Sequence, residues 1–375
     1  MHAISAVTHD NPYPYYAALA AQPGLAYDAE LRLWVAAGAA AVAEVLNHPD
    51  CRVRPPDEPV PAALAGGSAS LVFGALVRMN DGERHAVPKL VLQRALATMD
   101  ADTVRTRALA VAGMLAASRD LRQARELSAW MFDVPVSTVA SLLGFPDSQL
   151  APLAAWMVRF VACLSPLSSA AQIAQAHEAA QALLASFTAL LQAAPAPPGS
   201  LLDHVIAEAR AAGWDNAQAI LANLVGLLSQ TYEATAGLIG NGIVALLCRP
   251  DDMPAQERTP EHIAALVRRV GRDDPPVQNT RRFVARAADI CGVHLEAGQA
   301  ILVVLAAAGR DPAAGEHLYG YGQGRHACPG QALSQNIAAA AIDVLLQTGM
   351  PQRMTWRYRP SVNARIPEFI ATEEN

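Results

Sequence analysis

A mainly helical fold is what this sequence predicts, and three observations carry the prediction. Alanine dominates the chain of 375 residues, 52% of which are hydrophobic, while residues that favour strands are sparse. Residues 223–249, LVGLLSQTYEATAGLIGNGIVALLC at their centre, form the longest apolar stretch and read as a helix buried all round. Residues 331–347 are a second apolar, alanine-rich helical run. A chain of this size can bury a substantial core, as two average domains or one large one. No sharp shift in composition marks a boundary, and no internal repeat is visible.

Taken in order, the elements follow from their residues. Asn11 to Tyr16, NPYPYY, is a proline-punctuated entry to a short helix over 15–21. Short strands are expected at 24–27 and 31–37, then a helix over 39–46 that ends near His48-Pro49. Residues 54–70, rich in Pro, Gly and Ala, read as a loop. A helix opens within 79–95, and Pro88 inside it is tolerable only in the first turn. Helical periodicity over 124–143 is broken by Pro135. Residues 153–191 hold two or more amphipathic helices with a turn near Pro166, and 194–199, APAPPG, is a surface loop. After the long helix come a shorter one over 262–271 and strands over 290–295 and 299–306 around the turn Glu296-Ala297-Gly298.

The formal net charge of -6 gives no reason to propose a nucleic-acid partner. Positive charge is nearly all arginine; Lys89 is the only lysine. No uninterrupted apolar run is long enough to span a bilayer, and the N-terminus reads as neither signal peptide nor anchor. Of five cysteines, Cys51, Cys163, Cys248 and Cys291 show no paired or metal-ligand spacing. Buried packing is their expected role, and a reducing cytoplasm the expected compartment.

The fifth, Cys328, lies in YGQGRHACPG, residues 321–330. Gly322, Gly324 and Gly330 permit turns and a close approach to a flat ligand. Arg325 and His326 put positive charge just before the thiol. Pro329 suits a first helical position, which would place Cys328 at a helix N-terminus, where N–H groups favour a thiolate. A thiolate at the tip of such a loop is what a haem iron takes as proximal ligand. The stretch resembles the haem-binding loop of the haem-thiolate monooxygenases, the cytochrome P450 superfamily, whose pattern is Phe-Gly-x-Gly-x-His/Arg-x-Cys-x-Gly. Every position fits except the first, where Tyr321 stands for Phe.

The resemblance covers nearly the whole chain. It implies one domain over 1–375, with about a dozen helices and small β-sheets at one side, holding haem b with Cys328 as the iron ligand and Tyr321 and Gly322 in the cofactor loop. His85 and Lys89, four apart on one helix face, match the family's His and Arg that face the haem propionates; Lys keeps the charge but loses the bidentate fork. Arg282, with Arg281 as a substitute, and His326 match further propionate partners. In the central helix, Gln230, Thr231, Tyr232, Glu233, Ala234 and Thr235 fall in register with Ala/Gly-Gly-x-Asp/Glu-Thr-Thr. The acid is kept as Glu233, the Thr after it is Ala234, and the Gly two before it is Thr231. Glu233, Thr231 and Thr235 are therefore the candidate catalytic residues.

Two departures stand out. The family's Glu-x-x-Arg pair is absent, because Arg269 occupies the Glu position before Arg272, and two arginines three apart repel. Arg272 then needs another acceptor, and Asp273 and Asp274 are nearest in sequence. Only Ala313 to Gly320 separates the Gly309-Arg310-Asp311-Pro312 segment from the cysteine loop, so most of the family's meander is missing. Their joint absence reads as one coherent remodelling. The function implied is oxygen activation and oxidation of a small organic molecule, with electrons from a ferredoxin- or flavodoxin-like partner. Ala234 and Thr231 keep open a haem-thiolate enzyme that uses peroxide, a nitrogen–oxygen substrate or a dehydration. The missing brace keeps open a non-catalytic haem-binding protein.

Overall fold

The computed structural model describes residues 1–371 apart from 194–195, 251–252, 255–257 and 352–353. The loop expected at 194–199 thus lies partly outside the described residues. Thirteen α-helices and nine short strands are present among them. The chain divides into two compact units interleaved in sequence, one of Met1–Pro59, Gly240–Cys328 and Arg353–Asn375, the other of Val60–Ile239 and Pro329–Gln352.

The first unit holds all nine strands of the described residues. Helix α1 (Tyr13–Ala20) leads into β1 (Leu25–Asp28), β2 (Leu33–Ala36), α2 (Ala39–Asn47) and β3 (Cys51–Arg52). With β4 (Thr280–Val284) and β7 (Ala300–Val303) these strands make a five-stranded sheet in the order β1-β2-β7-β4-β3. Strand β7 runs parallel to β2, with Val35 opposite Leu302, and antiparallel to β4, with Arg282 opposite Ile301. Alternation along β7 sorts the core onto two faces. Ile301 and Val303 pack with Val42, Val45 and Leu46 of α2, and Leu302 packs with Tyr16, Leu19 and Val35. Hairpins β5 (Ala288–Ile290) with β6 (Val293–Leu295), and β8 (Thr355–Tyr358) with β9 (Pro367–Ile370), complete the strands. The strand expected over 299–306 stops at Val303, and Leu305–Ala308 is instead the short helix α12.

Helix α11 (Pro260–Asp273) belongs to this unit. Arg272 at its end meets Asp273 at 2.9 Å, as expected, and also Glu316 at 3.4 Å. Asp274 serves a different arginine. The Arg365 guanidinium, 1% exposed, donates to the Asp274 carboxylate at 2.9 Å and to the carbonyls of Val7, His9 and Asp10. It lies 3.4 Å from the Tyr358 ring centroid, and Asn241 donates to the Asp274 and Arg365 carbonyls. The N-terminal, α11 and C-terminal segments are thereby tied at one buried charge.

The second unit is helical, with α3 (Ser68–Ala75), α4 (Glu83–Ala97), α5 (Ala101–Ala117), α6 (Ala124–Leu142), α7 (Asp147–Phe160), α8 (Ala170–Gln192), α9 (Leu201–Ala211) and α13 (Gln331–Thr348). Small side chains let α13 pack on α5 and α6, with Ala108, Ala112, Ala338 and Ala341 fully buried. Trp130 of α6 donates to the Ala112 carbonyl at 3.1 Å. The loop expected at 54–70 gives way to α3 only from Ser68 onward, where Ala69, Val72 and Phe73 bury an apolar face. Pro135 does not break α6, and Pro88 is the sixth residue of α4 rather than a first-turn residue. A proline removes one ladder bond and crowds one carbonyl; burial of Val91, Leu92 and Ala95 in α4, and of Val134 and Val136 beside Pro135 in α6, holds the two helices through it.

Helix α10 (Ala217–Cys248) runs through both units. Contrary to the sequence expectation, it is long and apolar enough by length and composition to cross a membrane, though 72% of its most apolar window is buried in the protein, as in a core helix.

Candidate functional site

The cysteine loop is built on the first unit. Backbone bonds close it: Cys328 N–H donates to the Tyr321 carbonyl at 2.8 Å, and Gly322 N–H to that of Tyr319 at 2.8 Å. Gly322 and Gly324 have φ of +71° and +67°, where a side chain would be strained. Arg325 does more than add charge. Its guanidinium donates to the carbonyls of His48 at 3.1 Å and Cys51 at 2.6 Å, pinning the loop to the end of α2. Gly324 lies against Asn47, whose Oδ1 would be 2.2 Å from an added Cβ and whose amide is itself fixed to the Ala43 carbonyl. Neither Asn47 nor the Arg325 contacts could be read from sequence, because the acceptors are backbone carbonyls of a distant helix end.

Cys328 is exposed, whereas Cys51 and Cys163 are buried. Burial pushes the Cys51 thiol up to about 11, against the pull of Arg282 and Arg325. Cys163 is pushed up to about 12 by burial. Both are neutral packing thiols, as expected, but Cys248 is exposed and departs from that expectation. The helix after the loop begins at Gln331 with Gly330 as N-cap. Pro329 therefore precedes the cap instead of opening the helix, and Cys328 stands two residues before the cap. No cluster of His, Cys, Asp or Glu that could hold a metal ion exists among the described residues. One exposed thiol on a glycine loop fits an iron whose in-plane ligands come with it, and in that sense the residues fit a haem.

Around the loop in the same unit, His326 is half-buried and Arg282 is buried, while Arg281 is exposed. The Arg282 guanidinium donates to the Arg281 carbonyl at 2.8 Å. Among the candidates in the second unit, His85 is buried and Lys89 half-buried, one turn apart on α4. Thr231 and Thr235 are buried and their hydroxyls meet at 3.1 Å. Glu233 is two residues from each, about 200° around the helix, and is exposed. The structure thus joins the two hydroxyls and turns the acid away from them. Burial lowers the proton affinity of the Arg78 guanidinium, in the 3-10 turn Val77–Met79, and the charge of Glu233 opposes that; the sequence did not single Arg78 out.

Replacing Gly324 by alanine is expected to destabilise the protein by about 1–2 kcal/mol, the cost of a left-handed backbone at a residue with a Cβ, and to lower cofactor retention. Thermal unfolding and the ratio of haem to protein absorbance check this, and Asn47→Ala in the same chain should restore part of the loss.

No family model matches the chain. It is 26% identical over 261 residues to the biotin biosynthesis cytochrome P450 of Bacillus subtilis, covering 65% of this chain and 66% of that one. It is 29% identical over 226 residues to cytochrome P450 144 of Mycobacterium tuberculosis, covering 57% and 52%. The chain thus spans between about half and two thirds of the length of these relatives. Against cytochrome P450 monooxygenase PikC of Streptomyces venezuelae it is 28% identical over 365 residues, 90% of this chain and 83% of that one. Among solved structures, epothilone B-bound cytochrome P450epoK superposes with a TM-score of 0.81 at 18% identity, over 99% of this chain and 98% of that one, and shares the fold.

Proposed function

The chain belongs to the cytochrome P450 superfamily, and on that premise we propose that it is a haem-thiolate monooxygenase that oxidises a small organic substrate. The observation that carries the reading is the exposed Cys328 on a closed glycine loop. Haem b, when bound, supplies the activation of dioxygen. Cys328 gives the iron its thiolate, and Tyr321 and Gly322 shape the loop beside it. His85, Lys89, Arg282 and His326 are assigned to the two propionates, where cations and N–H donors neutralise carboxylates. Glu233 takes up and releases protons, and the Thr231 and Thr235 hydroxyls, each donor and acceptor, hold water in place.

A relative named for biotin biosynthesis and a structural neighbour bound to epothilone B support a small organic substrate, of secondary-metabolite or xenobiotic type. The electrons come from a ferredoxin- or flavodoxin-type donor, the protein works in the cytoplasm, and residues 1–375 act as a single domain. The non-monooxygenase alternative keeps one specific support: Ala234 has no hydroxyl, and that of Thr231 is engaged by Thr235.

Turnover under labelled dioxygen tests the reading. Protein supplied with a surrogate ferredoxin and its reductase, and with small organic molecules that shift its absorption spectrum, should place one atom of the labelled oxygen in the product. Product that forms only with added peroxide, or that carries no label, would put the alternative first.

A further inference from the structure

We propose that Arg325 is a positioning residue for Cys328, and that with Asp311 it makes α2 the support of the cysteine loop in place of the missing Glu-x-x-Arg brace. This rests on the reading of Cys328 as the iron ligand.

Helix α2 does not complete its own ends. Its nine residues carry no acid in the first turn, no base in the last and no side-chain cap bond at the N-terminus. The end N–H groups and carbonyls of a helix take partners from elsewhere, and here one stretch of chain supplies both. At the N-terminus, the Asp311 carboxylate accepts from Ala39 N–H at 2.8 Å through one oxygen and from Ala313 N–H at 2.9 Å through the other. At the C-terminus, the Arg325 guanidinium donates to the carbonyls of Asn47 at 3.4 Å, His48 at 3.1 Å and Cys51 at 2.6 Å. An anion at the first end and a cation at the last both complement the helix dipole. Asp311 and Arg325 stand fourteen residues apart and bound the shortened segment before Cys328. Helix α2, roughly 13 Å long, is thus a splint along that segment.

The acceptors of Arg325 are themselves held. Cys51 is fully buried and pairs with Val284 across β3 and β4. The Asp50 carbonyl accepts from Ala285 N–H at 2.8 Å, and its carboxylate from Arg286 at 2.8 Å. On the loop side, Arg325 lies in the 3-10 turn Gly324–His326, and Ala327 N–H donates to the Gly324 carbonyl at 3.0 Å. With Cys328 N–H closed onto Tyr321, little backbone freedom remains between the anchored guanidinium and the thiol. Tyr319, just before the loop, is buried in the same core cluster as Val42 and Val45 of α2. Arg272, the half of the family pair that this chain keeps, reaches Asp273 and the exposed Glu316 instead, and such exposed pairs hold little. A planar guanidinium on several backbone carbonyls fixes a direction that a single charge does not.

Hydrogen exchange in the full chain as purified reads the loop directly. Arg325→Met should speed exchange across 321–328 by about tenfold or more, as expected when charge-assisted bonds are lost, while α5 and α6 exchange as before. In the same variant, reduced and bound to carbon monoxide, the red-shifted thiolate Soret band should give way in large part to the blue-shifted band of a protonated sulfur ligand. Arg325→Lys keeps the charge without the fork and should fall between parent and Arg325→Met in both readings. Arg325→Gln serves where Arg325→Met does not fold. Asp311→Ala should act in the same direction to a smaller extent, and Asp311→Asn, which can still accept from Ala39 N–H, should recover much of the loss. Arg272→Met should leave both readings near the parent. Unchanged loop exchange and an intact band in the neutral Arg325 variants would overturn the proposal. So would full recovery in Arg325→Lys, which would make charge rather than the fork decisive, or an equal loosening in Arg272→Met. An unaltered protein without the thiolate band would refute the haem-thiolate reading instead, while the exchange rates would still decide whether Arg325 holds the loop.

Discussion

Arg365→Met is expected to cost about 3–5 kcal/mol, the usual penalty for removing one partner of a buried ion pair, and to lower the melting temperature by on the order of 10 °C. The methionine would leave the Asp274 carboxylate buried beside Tyr13, together with the carbonyls of Val7, His9 and Asp10 that the guanidinium now satisfies. Burial already raises the Asp274 carboxyl, with Arg365 pulling the other way. Burial also pushes the Tyr358 hydroxyl, stacked on Arg365, up to about 12. Removing the second charge as well, in Arg365→Met with Asp274→Asn, should recover a good part of the loss. Arg272→Met supplies the contrast. Its partners Asp273 and Glu316 are 46% and 92% exposed, and such pairs contribute about 1 kcal/mol or less. Equal losses for the two single variants, measured by thermal unfolding, would show that the buried cluster is not the brace of its unit.

That contrast marks where the sequence was legible. The cysteine loop was readable residue by residue because its meaning is local: turns that need glycine, a thiol, and a helix following at once. The long apolar run became α10, and the two short strands near the N-terminus became β1 and β2, because burial and period decide them. The brace was not legible. The missing Glu before Arg272 was visible, and so was Asp273 as its partner, but Arg365 lies 91 residues from Asp274 and donates mostly to backbone carbonyls more than 350 residues away. Nothing in the local sequence of Arg365 carries such a contact. Helices α4 and α6 run through proline because tertiary burial outweighs the local loss of one bond.

Cys328→Ser carries the largest expected effect on function, loss of turnover altogether, because everything assigned to the remaining residues presupposes a thiolate-ligated iron. A serine hydroxyl is a hard, weak ligand where a soft thiolate is wanted. The substitution removes one sulfur from an exposed loop position, so the fold should persist and the loss should be one of chemistry. The loop stays closed through the Cys328 N–H bond to Tyr321, which a serine backbone makes equally well.

The most direct measurement is the absorption spectrum of the reduced protein under carbon monoxide. The unaltered chain should show the red-shifted Soret band of a thiolate-ligated haem b, one per chain. Cys328→Ser should lose that band while melting near the parent temperature. A variant that kept the same band would mean that another residue holds the iron, and the account of this site would be wrong.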